Sequence, residues 1–278
     1  MNKNEILELL NSMDMGPSKK LGQNFLIDQN IIDIIVEKVV PSAKENVLEI
    51  GPGTGVLTKR LVESGATVTA VEFDYRLAGY IRKTYGSTPG FRLIEQDAVK
   101  VDYDELMGGK QFRCIANLPY AISSIFLATS TNLQTPPEQI FVMLQKEMAD
   151  RLAAKPRTKA YGALSVRIQA VYDVSIAKVV SRHSFYPAPD VDSALLNAEI
   201  KTGEALSVAL RQHLATFSKL AFSHRRKQVK KVLATKLGMN RVLELFEQVG
   251  ISVTARAEEI TVDQFIELSK LTLEEAWQ

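Results

Sequence analysis

The sequence predicts an α/β fold, a mostly parallel sheet covered by helices on both faces, followed by a small all-helical domain. Three observations predict it. Short apolar or β-branched runs alternate with amphipathic stretches as far as Leu144. A glycine turn joins the first strong strand to a helix. From about Lys201 onward the apolar spacing is helical throughout.

The elements follow in order. Asn4–Leu10 reads as a short helix, before a loop holding Gly16, Pro17 and the polar run Ser18–Lys20. Ile31–Val40 is apolar at helical spacing and stops at Pro41. Asn46–Ile50 is a short strand, Gly51–Gly55 a turn and Val56–Ser64 a helix. Thr67–Val71 is a β-branched strand and Tyr75–Tyr85 a helix. Phe91–Glu95 and Arg113–Ala116 are strands, Ile122–Asn132 a helix and Gln139–Leu144 a strand. A helix runs from Lys146 through about Ala153, a polar loop covers Lys155–Lys159, and Ala163–Val171 is helical. Asp173–Val180 and Ser193–Ile200 flank a proline-marked loop and are expected as an antiparallel addition to the sheet. Gly238 and Gly250 are expected helix stops. We expect domains at 1–202 and 203–278.

Composition narrows the function classes. An apolar share of 46% suits a globular chain with ample core. No run reaches the roughly 18 uncharged apolar residues of a membrane span, and Met1–Lys20 lacks a signal-peptide core, so cytoplasm is the expected location. The one cysteine, Cys114, and the absence of any Cys/His cluster argue against disulfide or metal chemistry. His183, His213 and His224 are too dispersed to suggest a site. Net charge is only +2, but Arg211–Arg241 holds nine basic residues and no Asp or Glu. Within it Arg225, Arg226, Lys227, Lys230 and Lys231 are expected largely along one helix, as a face toward a polyanion. Lys19, Lys20, Arg151, Lys155, Arg157 and Lys159 are candidates to extend it.

Glu49-Ile50-Gly51-Pro52-Gly53-Thr54-Gly55 follows a strand and opens a helix. Its glycines permit a sharp turn and close ligand approach, and the helix start offers free amide donors. Glu72 ends the next strand about twenty residues on, where a carboxylate can accept from ribose hydroxyls. Glycine loops also serve nicotinamide enzymes, but Pro52 in the turn and Glu49 just before it fit a methyl donor better than a dinucleotide. Asp97, after the third strand, can bond the donor's adenine amine or cap a helix.

Asn117-Leu118-Pro119-Tyr120 ends the fourth strand and faces the same crevice. An adenine amino group is a poor nucleophile because its lone pair is delocalised into the ring. Two acceptors aimed at its hydrogens, the Asn117 side-chain carbonyl and the Leu118 backbone carbonyl, would localise that pair. Pro119 restricts the conformation of Leu118, and Tyr120 can stack on the base.

With Lys20-Leu21-Gly22-Gln23-Asn24-Phe25-Leu26, Gln145-Lys146-Glu147, Tyr161-Gly162, Phe185–Ser193 and Phe222–Lys227, these motifs resemble the small-subunit ribosomal RNA adenine N6-dimethyltransferases (the KsgA family). The resemblance implies a Rossmann-like class I methyltransferase sheet with a helical C-terminal domain, and S-adenosylmethionine as cofactor. It implies dimethylation of two adjacent adenines near the 3′ end of 16S rRNA, coupled to small-subunit biogenesis. The implied partner is small-subunit rRNA in a pre-30S particle, with no membrane and a monomeric protein. By motif position the donor-binding residues fall on Asn24, Leu26, Gly51, Glu72, Asp97 and Asn117, with Gln23 and Gly53 beside them. Leu26 would act through its backbone, and Phe185 would sandwich the target base opposite Tyr120. Ala121–Ile125 departs from the family pattern, which often has a polar or aromatic residue first and a proline near Ile125; the target pocket's shape is where this would tell.

Rival readings are a large-subunit rRNA methyltransferase of the erythromycin-resistance type, a ribosome-assembly factor acting mainly by binding, a DNA adenine methyltransferase and a nicotinamide oxidoreductase. Phe185–Ser193 and the full helical tail favour the small-subunit reading over the first, and the intact Asn117 and glycine loop favour catalysis over binding alone. DNA enzymes usually carry a second proline in the tetrapeptide, and nothing after the fourth strand supports hydride transfer.

Overall fold

The computed structural model describes residues 1–18, 21–39 and 43–275. Lys19, Lys20 and the expected helix stop at Pro41 lie outside the described residues. The elements are α1 (Lys3–Ser12), β1 (Phe25–Leu26), α2 (Gln29–Val39), β2 (Asn46–Ile50), α3 (Val56–Glu63), β3 (Thr67–Glu72), α4 (Tyr75–Tyr85), β4 (Phe91–Glu95), α5 (Tyr103–Met107), β5 (Arg113–Asn117), α6 (Tyr120–Ser130), β6 (Gln139–Gln145), α7 (Lys146–Leu152), α8 (Ala163–Val171), β7 (Tyr172–Val180), β8 (Phe185–Tyr186), β9 (Ser193–Ile200), α9 (Val208–Ala221), α10 (Val229–Leu237), α11 (Met239–Val249) and α12 (Val262–Leu271).

Local chemistry accounts for several ends. The Asn2 side chain accepts from the Asn4 and Glu5 amides while Glu5 reaches back to the Asn2 amide, a capping box that starts α1. Asp74 caps α4 and Asp102 caps α5. Gly250 stops α11 in the left-handed conformation at φ 69°. Helix α6 begins at Tyr120, two residues earlier than the spacing predicted, because the chain turns into it directly after Pro119.

Seven strands form one sheet in the order β4-β3-β2-β5-β6-β9-β7. β2, β3, β4, β5 and β6 pair in parallel, and β9 runs antiparallel to β6, from Ser193 opposite Gln145 to Glu199 opposite Gln139. The chain moves outward from β2 through β3 to β4, then restarts on the other side with β5. The strand order therefore reverses between β2 and β5, and the crevice beyond their carboxyl ends is where parallel sheets bind ligands. Ile32 and Ile35 of α2 and Leu57 and Leu61 of α3 bury against Val68, Ile115 and Phe141 on one sheet face. Each such side chain contributes about 1.5–3 kcal/mol when fully removed from water.

The chain divides into two compact units, Met1–Leu127, Gln134–Ala149 and Ser175–Glu199 in one, Ala128–Leu133, Asp150–Val174 and Ile200–Gln278 in the other. This division is discontinuous, unlike the contiguous split expected at 202. Tyr161, Val166 and Ala170 share a core with Leu214, Phe217, Phe246 and Phe265, so the α8 region packs with the later helices rather than with its sequence neighbours. Among the described residues no helix is long and apolar enough to cross a membrane.

Candidate functional site

A cleft of about 260 Å³ opens at the strand-order reversal, inside the sheet-bearing unit. Gly22–Leu26, Glu49–Thr54, Glu72–Asp74, Gln96–Ala98 and Asn117–Ile122 line it, so every predicted donor-site residue is brought to one place.

The glycine turn forms its floor. Gly51, Gly53 and Gly55 have φ of 67°, 57° and 77°, the left-handed region that side chains disfavour. Gly55 is the most constrained: a Cβ there would stand 2.9 Å from Tyr85 Cε2 and 3.0 Å from Ile81 Cδ1. Pro119 packs on Gly51, so the tetrapeptide rests directly on the turn.

Two acids lie in this floor. Glu72 is 7% exposed; its Oε2 accepts from the Gly53 amide (3.1 Å), and its Oε1 accepts from the Phe73 and Asp74 amides (both 2.9 Å). Burial raises its pKa against those three bonds. A carboxylate offers about four acceptor sites, so with three filled it keeps capacity for one further strong bond. Glu49, 1% exposed, accepts from Thr58 Oγ1 at 2.7 Å, and burial pushes its pKa up to about 8.

Asp97 Oδ1 accepts from the Val99 amide at 3.0 Å, closing a turn rather than capping a helix, and its Oδ2 takes no hydrogen bond among the described residues. The segment Gly22–Leu26 borders the cleft. The Asn24 side chain donates to the Gly22 carbonyl (3.1 Å), and Leu26, buried at 4%, pairs with Phe185 in the β1–β8 ribbon. Gln23 lines the cleft with its side chain already engaged. Its Oε1 accepts from the Ser18 amide (2.8 Å) and its Nε2 donates to Asp74 Oδ2 (3.1 Å), so its side chain clips this segment to the start of α4. Asp74 was missed by sequence reasoning, although a carboxylate just before a helical run is a cap signal. Burial acts to raise its pKa, but the Arg76 and Gln23 hydrogen bonds outweigh it and hold the carboxyl below its ordinary range.

The tetrapeptide has defined geometry. Asn117 Nδ2 donates to the Asn24 backbone carbonyl at 3.0 Å. With nitrogen fixed there, Oδ1 is turned the other way and accepts no hydrogen bond among the described residues. The Leu118 amide donates to Met143 O (3.3 Å) and its side chain is buried, while its carbonyl likewise takes no donor among the described residues. Tyr120 is half-buried, with its hydroxyl 2.6 Å from Ser193 Oγ.

Phe185 requires correction. The β1–β8 register turns it into the core with Leu26, Ile31, Ile32 and Leu195 at 3% exposure, and it does not line the cleft. Its ring has no free face with which to sandwich a base.

The basic block is a second correction. Arg225, Arg226 and Lys227 lie in the turn between α9 and α10, and only Lys230 and Lys231 are on α10. Arg225 Nη2 donates to Lys159 O (2.8 Å) and Tyr161 O (3.0 Å) and pairs with Glu258 at 3.5 Å. It therefore ties the loop Lys155–Lys159 to the turn within the helical unit, beside the exposed Arg226 and Lys227. Arg211 is buried, donating to Thr131 O at 2.8 Å, and Arg241 pairs with Glu275 at 2.6 Å. Among the described residues no His/Cys/Asp/Glu group could hold a metal ion.

Comparison with known proteins adds the following. Residues 17–274 match the model of the family described as ribosomal RNA adenine dimethylase. A ribosomal RNA small subunit methyltransferase A from Lactococcus lactis subsp. lactis is 36% identical over 274 residues, covering 96% of this chain and 93% of the relative. A dimethyladenosine transferase crystal structure from Plasmodium falciparum superposes with a TM-score of 0.75 at 24% identity, over 88% of this chain and 95% of that one. A 23S rRNA methyltransferase, ErmE, superposes with a TM-score of 0.67 at 25% identity, over 89% and 98%.

Proposed function

The chain belongs to the ribosomal RNA adenine dimethylase family, and from that premise we propose that it dimethylates N6 of two adjacent adenines near the 3′ end of small-subunit rRNA. S-adenosylmethionine is the methyl donor. The substrate in this reading is an assembling pre-30S particle, met in the cytoplasm by a single copy of the chain.

The observation that carries the reading is the Asn117 amide of the cleft lining, whose nitrogen is held by Asn24 O while its oxygen accepts no hydrogen bond among the described residues. Together with the Leu118 carbonyl it offers two acceptors on adjacent residues, as required to draw the hydrogens of an adenine amine toward one side. As those hydrogens are gripped, the amine nitrogen moves toward tetrahedral geometry and its lone pair becomes available. The Tyr120 ring supplies a stacking surface worth roughly 1–3 kcal/mol for a flipped-out base. Phe185 has no part in that stack.

The cleft fits the donor by its own chemistry. Glu72 keeps one acceptor site for a ribose hydroxyl, Asp97 Oδ2 suits an adenine amine, and Gly51 and Gly53 admit close approach. Asn24, Leu26 and Asn117 would complete the donor site, while Gln23 serves it by holding the bordering segment. When bound, the donor supplies an electrophilic methyl group; the protein's contribution is alignment, and no general base is required of it. For RNA, we assign phosphate contacts to Arg226, Lys227, Lys230 and Lys231, with Arg225 orienting the turn and Lys155, Arg157 and Lys159 beside it.

The test incubates the protein with labelled donor and under-methylated small subunits and maps the products by mass spectrometry. Four methyl groups on two neighbouring small-subunit adenines are expected. Label confined to large-subunit rRNA, or absent from adenine N6, would overturn the assignment.

A further inference from the structure

We propose that Ser193 is a positioning residue for methyl transfer, fixing the orientation of the Tyr120 ring through a hydroxyl-to-hydroxyl hydrogen bond. The proposal rests on the reading of Tyr120 as the surface on which the target base stacks.

Ser193 closes the Phe185–Ser193 run, a motif that the cleft itself does not explain. It is fully buried at 0% exposure and opens β9, opposite Gln145 at the end of β6. The residue before it is pinned from two segments: the Asp192 carbonyl accepts from the Lys146 amide (2.9 Å), and Asp192 Oδ1 accepts from the Arg182 amide (3.0 Å). The hydroxyl is therefore presented from a rigid place.

Tyr120 has the opposite character. As the first residue of α6 its backbone is anchored, with Ser123 Oγ donating to its carbonyl at 3.0 Å, but that bond does not touch the ring. Among the described residues no other aromatic ring packs on Tyr120, and its one side-chain hydrogen bond is the 2.6 Å contact with Ser193 Oγ. A ring lacking aromatic neighbours can offer a face to a base, yet nothing else polar stops it from swinging about its two side-chain torsions. The Ser193 hydroxyl is the stop. Burial keeps the phenol protonated, its pKa raised against the opposing Ser193 bond, so the contact persists across the working pH range. A stacked adenine inherits the ring's tilt, and small errors in approach angle are costly to a reaction that depends on alignment.

The experiment compares Ser193→Ala, Ser193→Thr, Tyr120→Phe and the Ala/Phe double variant in single-turnover methylation of under-methylated small subunits. Ser193→Ala and Tyr120→Phe should each lower the rate fivefold to tenfold, with donor Kd unchanged and the fold retained. Ser193→Thr should retain most of the rate. The double variant should be no slower than the slower single, a coupling of up to tenfold, or about 1.4 kcal/mol. Multiplying losses, or a full rate for Ser193→Ala, would overturn the proposal. A second readout is independent of methylation. In ¹³C-tyrosine-labelled protein, Ser193→Ala should shift the Tyr120 Cζ resonance, assigned by its loss in Tyr120→Phe; an unmoved resonance would also overturn the proposal. If the wild-type protein methylates no adenine while the resonance moves, the functional reading fails and the hydrogen bond stands.

Discussion

Replacing Asn117 with aspartate exchanges an N–H donor for an oxygen where the structure needs a donor. Asn117 Nδ2 lies 3.0 Å from the Asn24 carbonyl, and that bond decides which way the amide oxygen faces. In Asn117→Asp the hydrogen bond, worth about 0.5–1.5 kcal/mol net, is lost. Two acceptors then confront each other, and leaving the carbonyl unpaired costs about 1–3 kcal/mol more. The carboxylate relieves this by rotating, so recovering the productive orientation costs roughly 2–4 kcal/mol. At about 1.36 kcal/mol per tenfold, kcat should fall about 30-fold to 1,000-fold although an oxygen acceptor is still present. Asn117→Ala, which removes the acceptor altogether, should be at least as slow. Single-turnover transfer at saturating donor, with donor affinity measured separately by calorimetry, isolates the effect. An aspartate variant within about threefold of wild type would refute the idea that amide orientation matters.

Gly55→Ala should destabilise the protein by about 2–3 kcal/mol, because its φ of 77° costs a side chain about 1–2 kcal/mol and the new Cβ meets Tyr85 at 2.9 Å; a thermal melt within 1 °C of wild type would contradict this. Lys230→Ala with Lys231→Ala should weaken RNA binding and reduce the salt slope by roughly 1.4–1.8 if both meet phosphates. Arg225→Ala should instead lower the stability of the helical unit, since it frees the Lys159 and Tyr161 carbonyls; filter binding across salt and urea melts separate the two outcomes. Glu49 supplies a pH test: its folded pKa of about 8 lies above the ordinary 4.5, so the unfolded chain deprotonates first and stability falls as pH climbs between those values. Glu49→Gln should remove that decline, gaining up to a few kcal/mol over wild type at pH 8.5 relative to pH 5 in urea melts of the donor-free protein. An equal difference at both pH values would show that burial does not raise the Glu49 pKa in the folded chain.

The parallel core was legible because short β-branched runs with capped helices between them admit few alternatives. Asn46–Ile50, Phe91–Glu95 and Tyr75–Tyr85 match to the residue. The meeting of Glu72, Asp97 and Asn117 in one cleft was legible for the same reason, since strand ends place them together once the sheet is known. What failed depended on contacts distant in sequence. The turn at Arg225–Lys227 contains neither glycine nor proline, so nothing local distinguishes it from continuous helix; the two carbonyls that Arg225 grips lie 64 and 66 residues earlier. That the Gln23 side chain engages Asp74, 51 residues away, is likewise invisible to any local pattern. Phe185 was carried over by resemblance, and its burial follows from pairing with Leu26, which no local pattern announces. The helical unit's early segments were missed because α8 reads as an ordinary helix until its core partners are known.

That Asn117 is oriented by a peptide oxygen rather than by a side chain has a consequence for how this enzyme could be lost or blocked. Every amino acid carries that oxygen, so drift at position 24 leaves the bond that orients the Asn117 amide in place, and an alanine there reports on the Asn24 side chain alone. The vulnerability is mechanical: a compound that wedges beneath Gly22–Leu26 and lifts that segment would break the Asn117 bond and disturb the bordering cleft together, and no side-chain change at position 24 would restore that bond.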